Sequence, residues 1–297
     1  MAGRHGRGGA TLAGFAAILM WSLLALLTAR SGSVPPFQLA SLTFALGTLV
    51  GVAWLLARRP SPAELRATFR QPPRVWIVGV GGLFGYHALY FAALRAAPAA
   101  EASLIAYLWP LLIVLGSAAL PGERLRAWHV AGALVALAGA GTILGGRGVS
   151  GFSGRFALGY ALALGCALTW AGYSLLSRRF GSVPSGIVCG FCAATAVLSL
   201  GCHLLFEPTV WPGSAAEWLA VAALGLLPVG AAFYLWDVGM KRGDVQLLGA
   251  ASYAAPLLST LALAAAGEAE TSPALLLAAA LITAGAALAA LPMFGCR

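Results

Sequence analysis

The sequence predicts an all-α polytopic membrane protein of ten transmembrane helices, built as two inverted five-helix repeats with cytoplasmic N- and C-termini. Three observations carry this prediction: successive long apolar segments, basic residues concentrated between alternate segments, and short motifs that recur 145 to 149 residues apart. The chain of 297 residues is 60% hydrophobic and 9% charged, whereas a soluble domain has about 25% charged residues. Most of this chain therefore does not face water.

Ten segments of about twenty residues contain few or no charged side chains. At about 1.5 Å per residue, each is long enough to cross a hydrocarbon core of roughly 30 Å as a helix. The strands of a membrane β-barrel would instead be about ten residues long and alternate in polarity. Continuous apolar segments therefore predict helices, at residues 9–29, 36–57, 75–94, 99–120, 127–146, 156–177, 185–206, 218–240, 245–266 and 273–294.

The first segment follows Arg4 and Arg7, a pattern that secretory signal peptides share. Its apolar stretch of about 20 residues is longer than theirs, and the large side chain of Leu27 stands where cleavage needs a small residue. We therefore predict a retained membrane helix. The longest polar stretch is 58–74, so we expect a single transmembrane domain over 1–297.

Positive charge is distributed unevenly between the two sides of the predicted bundle. With a cytoplasmic N-terminus, fourteen Lys and Arg residues fall in cytoplasmic segments and four in outer segments. This bias is typical of membrane proteins and predicts a multi-pass protein of the inner (plasma) membrane. We interpret the net charge of +9 as a determinant of topology and lipid contact, not of nucleic-acid binding. The four outer residues are Arg30, Arg95, Arg147 and Arg155.

One tetrapeptide, Gly-Ser-Val-Pro, occurs twice. It stands at 32–35 and at 181–184, each time eleven residues after a tryptophan, Trp21 or Trp170. Four residues alone can repeat by chance, so the remaining sequence decides whether the chain is duplicated.

The alignment continues beyond this tetrapeptide. Residues 88–110 align without a gap on 234–256, and Gly-Glu at 122–123 matches Gly-Glu at 267–268. Matches in the same order predict a duplicated five-helix unit, with repeats at 9–146 and 156–294. The aligned pairs include Tyr90 with Trp236, Arg95 with Lys241, Tyr107 with Tyr253, and Pro110 with Pro256.

An odd number of helices in each repeat determines their relative orientation. The first copy begins inside and ends outside, so the second copy begins outside and is inverted. Inverted repeats are typical of transporters that work by alternating access, with substrate bound near the midplane between the halves.

Two prolines lie near the middle of the fourth and ninth segments. Pro110 and Pro256 each remove a helical hydrogen bond, which leaves the carbonyls of Ala106 and Ser252 without that partner. Such a break is tolerated where the backbone lines a cavity; the alternative is a kink that only improves packing. Equivalent prolines in inverted halves favour the cavity, and we predict that both are hinges.

Aromatic side chains near the span centres indicate where a solute would bind. Trp21, Trp109 and Trp170 lie far from the interfacial belt in which tryptophan is expected. Tyr86 and Tyr90 share a helix face, and their hydroxyls need a polar partner or water. Ordinary packing is the alternative for any one of them. The predicted substrate-binding residues are Tyr86, His87, Tyr90, Trp109, Trp170, Trp236 and Tyr253.

Charged residues within the spans are few, which restricts the chemistry. Asp237 precedes Lys241 by four residues, so we expect a local ion pair, and no two acidic residues share a span centre. A zwitterion carried on aromatic faces and backbone ends therefore fits better than a cation or a phosphate-rich solute. No residue cluster has metal-ligand or nucleophile–base spacing, so we expect no catalytic residue, metal or cofactor.

The ten-span pattern, with a proline in the fourth and ninth spans and Gly-Glu shortly after each, resembles the EamA family of the drug/metabolite transporter superfamily over nearly the whole chain. The segments Tyr107-Leu108-Trp109-Pro110 and Trp236-Asp237-Val238-Gly239 are similar to the amino-acid exporters of that family. The resemblance implies export of amino acids, aromatic and other neutral ones among them. Asp237 departs from the asparagine expected there, and Lys241-Arg242 is more basic than expected.

We therefore expect a monomeric transporter that exports amino acids by alternating access and whose partners are its small-molecule substrate and the lipid bilayer, with no nucleic acid. One alternative is a carrier of the same fold for another small metabolite or a drug. An intramembrane enzyme is a second alternative, disfavoured because the sequence shows no catalytic constellation.

Overall fold

The computed structural model describes residues 2–145, 153–267 and 273–294. These residues form helices, turns and loops, and no strand occurs within the described ranges. Residue 146, Arg147, Glu268 and Arg297, on which parts of the repeat and charge predictions rest, lie outside them. The α-helices are α1 (Ala2–Trp21), α2 (Leu24–Ala29), α3 (Pro36–Arg58), α4 (Pro62–Phe69), α5 (Pro73–Val80), α6 (Tyr86–Ala96), α7 (Ala99–Ala106), α8 (Trp109–Gly116), α9 (Ala127–Gly145), α10 (Ala157–Arg179), α11 (Val188–Phe206), α12 (Ala215–Leu226), α13 (Ala232–Arg242), α14 (Val245–Ala251), α15 (Ala254–Ala265) and α16 (Pro273–Phe294).

Within the described residues, eight helical stretches are long and apolar enough to cross a membrane, and this confirms the prediction of an all-α polytopic membrane protein. Shorter apolar stretches lie in α9 and α16, at Ala127–Thr142 and Ala280–Ala289. The prediction of ten crossings therefore stays a prediction. The eight stretches are Gly6–Ala29, Pro36–Arg58, Pro73–Ala96, Glu101–Ala119, Gly154–Arg179, Ser185–Phe206, Ala215–Arg242 and Val245–Ala265.

The outside of the bundle is apolar. Large side chains such as Leu56, Ile77 and Leu204 are each at least 70% exposed. An exposed apolar surface of this extent is unfavourable in water but matches lipid. The helices therefore turn apolar side chains outward as well as inward.

Two membrane stretches contain a π-helical turn at matching positions. One turn spans Gly81–Gly85, between α5 and α6, and the other spans Leu227–Ala231, between α12 and α13. The second begins 146 residues after the first, which is the offset at which the sequence aligns with itself in this region. π-turns of this kind frequently mark functional sites in helices.

Two further stretches are broken in the middle, also at matching positions. The α7/α8 stretch breaks at residues 107–108, and the α14/α15 stretch breaks at residues 252–253. Pro110 is the second residue of α8 and Pro256 the third of α15. The prediction of a free carbonyl at Ser252 is wrong, because this oxygen accepts the N–H of Ala255 at 3.1 Å in the turn.

One end of the bundle collects the N-terminal part of α1, helix α4, and residues 120–126, 180–184 and 243–244. We call this end the basic face, and the opposite end the far face. On the basic face Arg7 contacts Glu123 and Asp244, at 3.4 and 3.2 Å. On the far face Glu207 accepts the backbone N–H of Phe37 at 3.0 Å and lies 3.5 Å from Arg95.

The basic face also carries the short helix α4. Its first turn is closed by a capping box, in which Ser61 Oγ accepts the N–H of Glu64 and Glu64 Oε2 accepts the N–H of Ser61 at 2.7 Å. The backbone and side-chain hydrogen bonds from Ser61 lower the pKa of the exposed Glu64 carboxyl. After α4, the amide of Gln71 donates to the Ala67 carbonyl at 2.7 Å.

Close backbone contact between α1 and α13 closes the bundle toward the basic face. A Cβ atom on Gly239 would lie 2.9 Å from Gly14 Cα, and one on Gly243 would lie 3.1 Å from Thr11 Cα. Small residues, above all glycine, allow two helices to approach this closely. The first and second halves of the chain therefore pack directly against each other at this end.

The expected ion pair within α13 is present and buried. Lys241 Nζ lies 2.8 Å from Asp237 Oδ2, with the two side chains 4% and 1% exposed. The same ammonium donates to the Val183 carbonyl at 3.0 Å, in the second Gly-Ser-Val-Pro segment. The pair thereby ties α13 to the loop between α10 and α11.

Replacing Asp237 with Asn should destabilise the protein, because it leaves the Lys241 ammonium buried without a counter-charge. Removing one partner of a buried pair costs about 3–5 kcal/mol, so we expect the melting temperature in detergent to fall by several degrees. The matched control, Asp237→Leu combined with Lys241→Met, removes both charges and should recover most of that loss. An Asp237→Asn protein that melts like the parent would show that the pair is not held in this buried state.

Candidate functional site

The aromatic residues of the inner helices surround a cavity with a volume of about 150 Å³, here called the central cavity. Its walls come from α1, α2, α6, α8, α10, α13 and α15, so both halves of the chain contribute. The α1–α13 contact lies between this cavity and the basic face. The lining residues are Trp21, Leu24, Tyr86, His87, Tyr90, Tyr107, Trp109, Trp170, Phe233 and Ala255.

Four tryptophans form one cluster beside the cavity, with Trp21 at its centre. The Trp21 ring centroid lies 5.0 Å from that of Trp236, 5.6 Å from Trp170 and 6.4 Å from Trp109. Its Nε1–H donates to the Pro228 carbonyl at 3.0 Å, within the second π-helical turn. A carbonyl of this turn therefore satisfies the N–H of the Trp21 ring, which is the only polar group of that side chain.

Two parallel tyrosine rings form another wall. Tyr86 and Tyr90 are stacked on α6 with centroids 6.1 Å apart and an interplanar angle of 12°. The Tyr90 hydroxyl shares a hydrogen bond of 2.9 Å with Ser103 Oγ of α7. The Tyr86 ring packs against the Trp170 ring, with the two centroids 5.5 Å apart. One turn of spacing on one helix face thus places both rings at the cavity, as the sequence predicts.

His87 presents an acceptor rather than a charge. Its Nδ1–H donates to the Leu83 carbonyl at 2.7 Å, and a carbonyl only accepts, so the neutral ring keeps its lone pair on Nε2. Phe44 and Phe233 pack around the ring with centroids at 5.1 and 6.5 Å. The ring can therefore accept a hydrogen bond from a solute.

The central cavity is electrically neutral. Its ten lining residues include no Asp, Glu, Lys or Arg. A solute with a net charge would be desolvated there without a counter-ion, which is costly. The walls instead favour a solute that is neutral overall and has an aromatic or apolar part.

Two predicted site residues do not line this cavity. Trp236 is fully buried, with its ring stacked behind Trp170 at 6.4 Å and its Nε1–H donating to Ser174 Oγ at 3.0 Å. Tyr253 is also fully buried. The other five predicted residues, Tyr86, His87, Tyr90, Trp109 and Trp170, all line it.

Tyr253 instead connects the two broken helices. Its hydroxyl accepts the backbone N–H of Leu111 at 3.1 Å. In a continuous helix this N–H would donate to the carbonyl of Tyr107, four residues earlier. A residue at the helix break of the second half therefore accepts the hydrogen bond that the break of the first half leaves unmade.

The prediction from sequence missed several lining residues. Phe233 and Ala255 could have been found from the internal alignment, because they match His87 and Trp109. Trp21 matches Trp170 in the same way. The missed residues are Trp21, Leu24, Tyr107, Phe233 and Ala255.

Comparison with known proteins finds one family across nearly the whole chain. The family model described as "EamA-like transporter family" matches residues 8–145 and again residues 157–291. This confirms the resemblance found in the sequence.

Individual proteins and one solved structure are also similar to this chain. The aromatic amino acid exporter YddG of Ancylobacter novellus is 60% identical over 286 residues, covering 96% of this chain and 98% of the relative. The aromatic amino acid exporter YddG of Salmonella typhimurium is 28% identical and covers 84% and 86%. A crystal structure with 59% identity superimposes with a TM-score of 0.91 over 96% of this chain and 98% of that chain.

Replacing Tyr253 with Phe should destabilise the protein by leaving the Leu111 N–H without its partner. A buried donor left unsatisfied costs about 1–3 kcal/mol, which a melting curve in detergent detects. The matched control is Tyr234→Phe. It also removes a hydroxyl, but that hydroxyl donates to the Gly47 carbonyl at 2.9 Å, so no N–H is orphaned and the loss should be smaller. Equal losses in the two variants would contradict the bracing role of Tyr253.

Proposed function

The chain belongs to the EamA-like transporter family, and from this premise we propose that it exports amino acids, aromatic and other neutral ones, by alternating access. Its membership of a transporter family confirms the prediction that it is not an enzyme. The observation that carries the proposal is the neutral central cavity, walled by Trp, Tyr and Phe rings from both halves.

We propose ten crossings in two inverted five-helix repeats, acting as a monomer with the basic face in the cytoplasm. Three observations support the duplication: the family model matches the chain twice, the π-helical turns are 146 residues apart, and the helix breaks stand at aligned positions. Gly122 and Gly267, which are also aligned, both have φ near +75°, where a residue with a Cβ is strained. The charge bias supports the cytoplasmic assignment of the basic face.

The proposed substrate pose uses the groups that line the cavity. The substrate's aromatic ring would pack among Trp109, Trp170 and Phe233, in the edge-to-face arrangements that aromatic rings favour. Its ammonium would donate to His87 Nε2 and lie over an aromatic face. A zwitterion carries no net charge, so the lining needs no net counter-charge, and each charged end needs only a hydrogen-bond partner.

The proposed transport step opens the contact on the basic side. The α1–α13 contact separates the central cavity from the basic face, so the substrate must cross it. We propose that the two halves rock about the breaks at Pro110 and Pro256, which opens this contact and narrows the other side. The broken helices are the elements best able to change angle, because their hydrogen-bond ladders are already interrupted.

Counterflow in proteoliposomes tests the proposed function. Vesicles preloaded with unlabelled phenylalanine should accumulate labelled phenylalanine transiently, and tryptophan, tyrosine and other neutral amino acids should compete. Lysine and glutamate should compete poorly because of their net charge. Counterflow that amino acids do not inhibit, but that an unrelated drug or metabolite does, would favour the alternative of another carrier with this fold.

Replacing Trp109 with Leu should weaken substrate binding. The variant keeps an apolar side chain but removes a ring face from the cavity, so the half-saturation concentration should rise about five- to hundred-fold. The matched control is Trp236→Leu, which alters the same tryptophan cluster behind the cavity wall. It should lower the melting temperature and leave half-saturation unchanged. The same rise in both variants would show that the cavity wall is assigned incorrectly.

A further inference from the structure

A second cavity, with a volume of about 260 Å³, opens at the basic face between α1, α9, α14, α16 and residues 122–126. We call it the basic-face cavity. We propose that it binds the ammonium and carboxylate groups of an amino acid on the cytoplasmic side, before the substrate reaches the central cavity. This second site rests on the proposed function. The polar residues that carry it are Arg7, Glu123, Arg126, Asp244 and Gln246.

Gln246 lines this cavity and carries a buried side-chain donor without a partner in the described part of the chain. The residue is only 3% exposed, and its Nε2 has no hydrogen-bond partner among the residues that the structure describes. Buried amide groups are almost always partnered. A carboxylate in the cavity would accept from this N–H.

The charges beside Gln246 match both ends of a zwitterion. Asp244 Oδ1 accepts the N–H of Leu247 at 3.0 Å, and its Oδ2 faces Arg7 at 3.2 Å. An amino acid placed between them would direct its ammonium to Asp244 Oδ2 and its carboxylate to Arg7 and Gln246. Once the Arg7–Asp244 pair opens, the two opposite charges at the cavity wall select a zwitterion over a simple ion, because each end of the zwitterion gains a partner.

The ion pairs of Arg7 are suited to exchange. Its side chain is 46% exposed, and it lies 3.4 Å from Glu123 and 3.2 Å from Asp244. Arg7 is the exposed member of both pairs, whereas the Glu123 and Asp244 side chains are 6% and 24% exposed. An ion pair whose cation stays in water contributes less stability than a fully buried pair. A substrate carboxylate can therefore replace a protein carboxylate at Arg7 with little loss.

A different residue holds the basic face closed. Arg178 pairs with Glu123 and donates to the carbonyls of Met240 and Gly243, at 3.3 and 3.1 Å. Its side chain is 19% exposed, so it is more deeply held than Arg7. Closure through Arg178 uses neither Asp244 nor Gln246, so a ligand can displace the Arg7–Asp244 pair without opening this end of the bundle.

The basic-face cavity lies directly before the contact that closes the central cavity. Leu247 lines the basic-face cavity, and the next residue, Leu248, is fully buried against Gly14 of α1. An amino acid held at Asp244 and Gln246 would thus wait beside the α1–α13 contact. Opening that contact would pass the substrate inward.

The test uses Gln246→Leu in protein reconstituted in one orientation, with phenylalanine as the probe. Vesicles of phosphatidylcholine and phosphatidylglycerol contain no primary amine, so no lipid headgroup imitates an amino acid. We expect half-saturation for phenylalanine offered at the basic face to rise about tenfold, from the loss of a hydrogen bond to a charged group. Half-saturation at the far face should not change. The matched control, Gln71→Leu, makes the same substitution on the basic face outside the cavity and should behave like the parent.

A second variant tests the site without disturbing the fold, in case Gln246→Leu fails to fold. Asp244→Asn keeps the side-chain oxygen that accepts from Leu247, since Asn is an equally good N-cap, but removes the charge that would bind the ammonium. It should show the same one-sided rise.

Variants that behave like the parent, or that change half-saturation equally at both faces, would show that the basic-face cavity is not a substrate site. That result would overturn the second site and leave the proposed function standing. A parent protein that moves no amino acid from either face would overturn the proposed function and this site together.

Discussion

The hydrogen bond from the Leu111 N–H to the Tyr253 hydroxyl is the interaction on which the centre of this protein depends. Inside a membrane every backbone donor needs a partner within the protein, yet two of the membrane-crossing stretches described here are interrupted near their middle. Here a side chain at the second break, Tyr253, accepts the backbone N–H of Leu111 near the first break. The same contact holds the start of α8 against the break between α14 and α15, next to Trp109 in the wall of the central cavity.

Equivalent positions in the two halves do different work, and this difference gives the cavity its shape. Tyr107 lines the cavity, whereas its counterpart Tyr253 is buried as a brace. Tyr90 lines it, whereas its counterpart Trp236 lies behind the wall. The first half therefore supplies most polar groups at the cavity and the second half supplies most of the support. Two identical halves would form a symmetric cleft with no preference for one end of a solute.

The sequence predicts the helices well, because continuous apolar segments have only one solution in lipid. It also predicts five cavity residues, since tryptophan and tyrosine far from the interface are unusual. The sequence does not predict that Trp236 and Tyr253 face away from the cavity, because the rotation of each helix depends on its packing neighbours. Nor does it indicate the π-helical turns at Gly81–Gly85 and Leu227–Ala231, which have no side-chain signature. The sequence also gives no reason to assign Gln246 to a binding site, because a single amide residue is common. Its proposed role depends on its position beside Asp244 and Arg7, which only the structure shows.

The central claim is that two inverted halves enclose one cavity, and the sidedness of the repeated Gly-Ser-Val-Pro segments tests it most directly. Ser33 and Ser182 are exposed and occupy equivalent places in the two proposed repeats. Each would be replaced singly with Cys in a variant lacking the five native cysteines and treated with a membrane-impermeant thiol reagent. We predict that intact cells label the protein at position 33 and that only opened cells label it at position 182. Labelling of both positions from the same side would contradict the inverted architecture, and with it the transport mechanism proposed for this protein.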